Sequence, residues 1–254
     1  MPYNSLTGDP IQTAIRSLNG ASDENLSLQN LTQENGELSS VQPLIDWHRV
    51  QKDEGGVVKN LYVIPPPTEG VSEKEKSGVT MLGGIDLGQG KKNEIYNIID
   101  NLGISKGDSS FFRKAVDAVA DLKGLEARKA FSMLSPELKE QADLFLKVYG
   151  EDIQAAYQEK ETLRIEKTYN AVAGTKGIQF EDLPQDWRTA LASTYTQYGK
   201  AGVSRQKFYK QVAKGDFSAA INNLNNWGDK TPGYSDSINN RYSRWGQELT
   251  IPNW

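Results

Sequence analysis

From Pro136 to Ala173 apolar and charged residues alternate at the spacing of an amphipathic helix, and a run of that reach dictates what can be built around it. It reads as scaffold, a long helix or helices. The remainder of the chain after Lys91 keeps the same helical pattern, with breaks expected at Gly103, Gly124, Ser135–Pro136, Gly150, Gly174, Gly177 and Leu183–Pro184. Ahead of it, LYVIPPP and VTMLGGIDLGQ read as two short extended segments around the charged stretch TEGVSEKEKSG, ended by Gly88 and Gly90. The expected fold is therefore α+β and mainly α. It has a small sheet near residues 57–90, a long helix or helices, and a helical lobe at the C-terminal end.

Residues 1–43 are rich in Ser, Asn, Gln, Thr and Gly, with one helix-like patch at Ile11–Leu18 closed by Gly20. That composition offers few apolar groups to offset the entropy of ordering, so 1–43 reads as a linker or extension and 44–254 as the folded domain. With no cysteine there is neither a disulfide framework nor a thiol nucleophile, and the single histidine, His48, cannot make a zinc site alone. The formal net charge of −4 argues against a nucleic-acid partner, which needs a concentrated basic face. No apolar run approaches the roughly 20 residues that span a bilayer, and MPYNSLTGDPIQ has neither the basic nor the apolar region of a secretion signal. The expectation is a chain made in the cytoplasm without a signal peptide and with no membrane partner.

Titratable chemistry gathers in two places. VQPLIDWHRVQKDE, residues 41–54, puts Leu44, Trp47, His48 and Val50 at helical spacing, and Gly55–Gly56 stops the helix directly after Glu54. A carboxyl there faces the negative end of the helix dipole and has Trp47, Val50 and Val57 as apolar neighbours, and both effects disfavour ionisation. Asp86, by contrast, has Gly83, Gly84, Gly88 and Gly90 around it, which let a substrate approach the backbone and leave N–H donors near the acid. Thr80 supplies a hydroxyl able to hold a water. Taken singly, each has an ordinary reading: Glu54 a solvated charge at a helix end, Asp86 a turn residue, Thr80 a strand residue. His48 reads as a packing or surface residue, and Trp227, Trp245 and Tyr242 as core of the second lobe rather than sugar platforms. GGIDLGQGKKNE matches neither common phosphate-loop fingerprint.

The combination is more specific. DEGG at 53–56 followed by SGVTMLGGIDLGQG at 77–90 resembles the phage-lysozyme superfamily, and most closely its pesticin-like branch of bacteriocins and effectors. In that family a helix ends in Glu followed by Gly, and a small sheet then presents a Thr and an Asp. The Thr falls here on Thr80 and the Asp on Asp86, in the order of the pesticin-like branch. A second match lies downstream, at Asp216–Ala220 (D-F-x-x-A-A), Trp227–Pro232 (W-x-x-x-T-P) and Arg241–Trp245 (R-x-x-x-W). Together the two cover roughly residues 44–91 and 183–249. Phage lysozymes place an Arg soon after the T-P step to pair with the catalytic Glu. Gly233, Tyr234, Ser235 and Asp236 stand there in this chain, leaving Arg241 and Arg49 as candidates.

What the resemblance implies is a lysozyme-like two-lobe fold in which Glu54, Thr80 and Asp86 line a cleft and cut the β-1,4 bond between N-acetylmuramic acid and N-acetylglucosamine. Such hydrolysis needs one protonated and one ionised carboxyl, and no cofactor. The expected partner is the glycan strand of peptidoglycan, met by a monomer in the periplasm or cell wall of a target cell, with an immunity protein as a second partner if the chain is an effector. A wall-binding module that has lost catalysis, a phage endolysin and an enzyme acting on chitin-like glycans are the alternatives.

Overall fold

The computed structural model describes residues 43–53, 56–63, 77–203, 206–227 and 236–253. The chain divides into two units, 1–42 and 43–254. The first, with the helix-like patch at 11–18, lies outside the described residues.

The second unit opens on helix α1, Trp47–Asp53. Periodicity suggested a start at Val41, but Asp46 sets the start at Trp47: its carboxylate accepts the Arg49 N–H at 3.0 Å, as an N-cap does three residues ahead. Asp46 is itself anchored, its N–H donating to Thr189 Oγ1 at 3.0 Å. Leu44 consequently lies outside the helix and exposed, and Ile45 enters the core in its place.

A three-stranded antiparallel sheet follows, β1 (Val58–Val63), β2 (Val79–Leu82) and β3 (Ile85–Asp86), in the order β1-β2-β3. The two extended segments expected are thus three strands. Leu82 at φ 50° and Gly84 at φ 100° reverse the chain so tightly that Ile85–Asp86 folds back onto β2.

A 3₁₀ turn, Leu87–Gln89, leads into α2 (Lys92–Asn101), α3 (Ser110–Val119) and α4 (Gly124–Met133). Then comes α5, Pro136–Ala173, a single helix of 38 residues, about 57 Å at 1.5 Å per residue. Ser135 caps it through the Leu138 N–H and Pro136 occupies its first turn. The chain continues through α6 (Gln185–Val203, kinked at Gly199), α7 (Lys207–Ala213), α8 (Phe217–Asn225) and α9 (Asp236–Glu248).

Breaks fall near Gly103, Ser135–Pro136, Gly174 and Leu183–Pro184 as expected, and Gly124 opens α4 rather than closing α3. Gly150 is no break at all. It lies buried inside α5, where a Cβ would stand 2.9 Å from Leu82 Cδ2. An interior glycine costs a helix about 0.5–1 kcal/mol relative to Ala, and here its bareness lets the end of β2 close onto the rod.

Two hydrophobic cores share α5. One gathers the sheet, α2 to α4 and the first half of the rod, including Phe112 stacked on Phe145 at 4.7 Å. The other gathers the second half of α5 with α6 to α9, and Val50 of α1 belongs to it. Tyr242 and Trp245 are fully buried there and Trp227 packs against them, so these aromatics are core as expected, while His48 is exposed on α1. Among the described residues no helix is long and apolar enough to cross a membrane.

Candidate active site

Thr80 and Asp86 are direct partners across the β2–β3 ladder, and Tyr62 of β1 faces Thr80 from the other side. Opposed residues of an antiparallel pair project from the same face with Cβ atoms about 4.5–5.5 Å apart. The hydroxyl and carboxylate singled out in the sequence are therefore neighbours. Thr80 is buried, 4% exposed. Asp86 is half-buried at the strand end, where it caps the 3₁₀ turn.

The Asp86 carboxylate is oriented from below. Its Oδ1 accepts the N–H of Gly78 at 2.9 Å and of Gly88 at 2.8 Å, and the Gln89 amide lies 3.4 Å from Oδ2. Two backbone donors can converge on one oxygen only if their chains nearly touch. At Gly78 a Cβ would lie 2.6 Å from Gly88 Cα and from the Leu122 carbonyl; at Gly88 it would lie 2.6 Å from the same carbonyl. The loop 120–123 seals this junction, since Asp121 N–H donates to Leu87 O at 3.1 Å and Gly124 N–H to Ser77 O at 2.8 Å.

The glycines around Asp86 thus have work of their own, distinct from the substrate approach suggested by composition. Gly88 makes the close backbone contact, Gly84 turns the hairpin, Gly90 ends the 3₁₀ turn at φ 72°, and Gly83 leaves room for the Gln51 and Gln154 side chains. Gly78, which takes part most directly, was not singled out. Its signal was only the Ser-Gly step ahead of β2.

Glu54 lies outside the described residues; the helix that leads into it does not. Gly56, at φ 90°, donates its N–H to the Gln51 carbonyl five residues back at 2.8 Å, tying the chain after the helix to its last turn. On one side α1 meets the rod and the hairpin: Trp47 Nε1 donates to Thr162 Oγ1 at 3.0 Å, and Gln51 contacts the turn at Gly83, whose N–H is held by Gln154 Oε1 at 2.9 Å. On the other side it meets α9. Asp53, whose side chain is 5% exposed, forms an ion pair with Arg244 and accepts the Trp245 indole N–H at 3.0 Å, while Arg241 donates to the Asp53 carbonyl at 2.7 Å.

Of the two arginines suggested as partners of Glu54, Arg49 is engaged elsewhere. It pairs with Glu248 and Asp186 and lies flat over the Trp245 ring, 3.6 Å from its centroid. Arg241 is the one at the end of α1.

Behind Asp86 the chain is pinned to the middle of α5 by four charges. Lys91 reaches Glu94 at 3.3 Å and Glu161 at 3.2 Å; Arg164 lies 2.6 Å from Glu94 and also pairs with Glu161. Burial alone would raise the Glu94 carboxyl, but the Arg164 guanidinium 2.6 Å away and the Lys91 charge outweigh it and hold it below its ordinary value. Burial likewise pulls Lys91 down, yet Tyr157, Glu161 and Glu94 together raise it. The Tyr157 hydroxyl beneath Lys91 is pushed up to about 12, chiefly by burial.

A small antiparallel sheet carrying a paired hydroxyl and carboxylate, with a long helix running from its core into a helical lobe, defines a lysozyme-like α+β fold. Residues 44–218 match the family described as pesticin, a bacterial toxin homologue of phage lysozyme, C-terminal part, and the chain belongs to that family. No curated protein matches the chain.

Proposed function

We propose that this chain is an antibacterial muramidase that hydrolyses the β-1,4 bond between N-acetylmuramic acid and N-acetylglucosamine in peptidoglycan. Glu54 is the general acid, Asp86 the base, and Thr80 the second anchor of the attacking water. The observation that supports this most is the Thr80–Asp86 pair, a hydroxyl and an oriented carboxylate on one face of a sheet whose hairpin touches α1. A carboxylate beside a hydroxyl suits the positioning of a water rather than direct attack on the sugar, and inverting glycosidases use their second carboxyl in that way. The setting is the wall of a target cell, and for a secreted effector the producing cell would hold an immunity protein.

Turbidity loss of purified sacculi tests the proposal and separates it from a wall-binding module without catalysis. The wild-type protein clears the suspension and a folded Glu54→Gln variant does not, because removing a general acid costs a factor of about a hundred to ten thousand. Binding to sacculi with no clearing by the wild type would favour the module instead.

A further inference from the structure

Asp53 stands one residue before Glu54 and takes no part in the chemistry proposed above, yet it is among the most heavily held side chains on α1. Its carboxylate accepts from Arg244 and from the Trp245 indole, and its carbonyl accepts from Arg241. All three donors lie on one face of α9, at positions i, i+3 and i+4. Trp245 serves twice: its edge binds Asp53, and its face carries the Arg49 guanidinium one helical turn earlier on α1. The side of α1 bearing residues 49 and 53 is thus gripped by α9. The side bearing Trp47 and Gln51 rests on α5 and the hairpin that presents Asp86.

We infer that Asp53 is a positioning residue, a latch through which Arg244 and Trp245 of α9 set the place of the next residue, Glu54, relative to Asp86. The inference rests on the proposal that Glu54 is the acid. A helix of seven residues is too short to hold its own end in place, since isolated helices below about 12–15 residues are marginal in water. Without the latch the last turn of α1 loses its side-chain grip on α9 and is left with the Arg241 bond to the Asp53 carbonyl. Misplacing a catalytic group by about 1 Å can cost about a hundredfold in rate. The arrangement also makes the activity of residues near 54 depend on a helix about 190 residues further along the chain.

The test uses the full chain in four forms besides wild type: Asp53→Asn, Arg244→Gln, the double variant, and Glu54→Gln. Turnover and KM are measured on soluble peptidoglycan fragments below the melting temperature of each protein. Asp53→Asn and Arg244→Gln each lower kcat by about ten- to a hundredfold with KM within about twofold, and the double variant is no worse than the poorer single. Wild-type kcat in a folded Asp53→Asn or Arg244→Gln protein overturns the latch, as do losses that multiply in the double variant or that merely follow the unfolded fraction. Should Asp53→Asn fail to fold, Arg244→Gln carries the test alone, because its side chain is half exposed and its loss leaves no buried void. If Glu54→Gln keeps wild-type activity, the proposed function fails. If it is dead while Asp53→Asn and Arg244→Gln are normal, only the latch fails.

Discussion

Asp86 holds two positions at once, and two substitutions pull them apart. Its Oδ1 satisfies the N–H groups of Gly78 and Gly88, both buried. Asp86→Ala removes the acceptor and strands both donors, at about 1–3 kcal/mol for each buried group left unpaired. Partial access of water at the strand end brings the sum to about 2–4 kcal/mol. In a domain of this size each kcal/mol moves the melting temperature by about 2–4 °C, so the alanine variant melts roughly 4–16 °C lower. Asp86→Asn keeps a carbonyl oxygen in the same place, and Asn caps turns as well as Asp does, so its stability stays within about 1 kcal/mol of wild type. The asparagine lacks the negative charge needed to accept a proton from water, so its lytic rate falls by a factor of about a hundred or more. Calorimetry and sacculus clearing on the same two preparations give the comparison. If the asparagine variant melts as low as the alanine one, the account of Oδ1 as the turn's acceptor is wrong.

The Glu94 carboxyl, held below its ordinary value near 4.5, contributes stability that is present above that pH and lost as pH falls through the folded-state value. Glu94→Gln should therefore be less stable than wild type by about 1–3 kcal/mol at pH 7, with the gap narrowing below pH 4.5; a urea-denaturation gap constant between pH 7 and 3.5 would contradict the charge cluster's role. Thr80→Val, nearly isosteric at a buried position, should fold normally and lower kcat far more than it changes KM, because the water it holds is needed only for the chemical step. Inversion predicts that NMR of freshly cut strands sees the α-anomer first, and an initial β-anomer rules it out. A chain beginning near Ser40 should keep its lytic activity and most of its thermal stability; unfolding on truncation would move the domain boundary towards the N-terminus.

The pairing of Thr80 with Asp86 was legible only through the family resemblance, which puts a Thr and an Asp on one small sheet; from the residues alone VTMLGGIDLGQ reads as a single extended segment, and the reversal at Leu82 and Gly84 that sets the two opposite each other was not expected. The partition into a small sheet and a helical remainder was legible in the residues themselves, since hydrophobic period changes after Lys91. Gly150 misled because glycine has two uses that sequence does not separate: ending a helix, and baring its flank to a neighbour such as Leu82. The start of α1 was hidden because Leu44 continues the helical spacing while Asp46, two residues on, interrupts it by capping. Least legible was Asp53. Its importance lies in contacts with Arg241, Arg244 and Trp245, and only the R-x-x-x-W spacing of Arg241 and Trp245, one helical turn, hinted that two of these side chains share a face.

The most direct test of the central claim is mass spectrometry of the fragments released from purified peptidoglycan by the wild-type protein and by Glu54→Gln. The account predicts fragments ending in a reducing N-acetylmuramic acid from the wild type and none from the variant. Reducing N-acetylglucosamine ends, cuts confined to the peptide stems, or equal release by Glu54→Gln would contradict it.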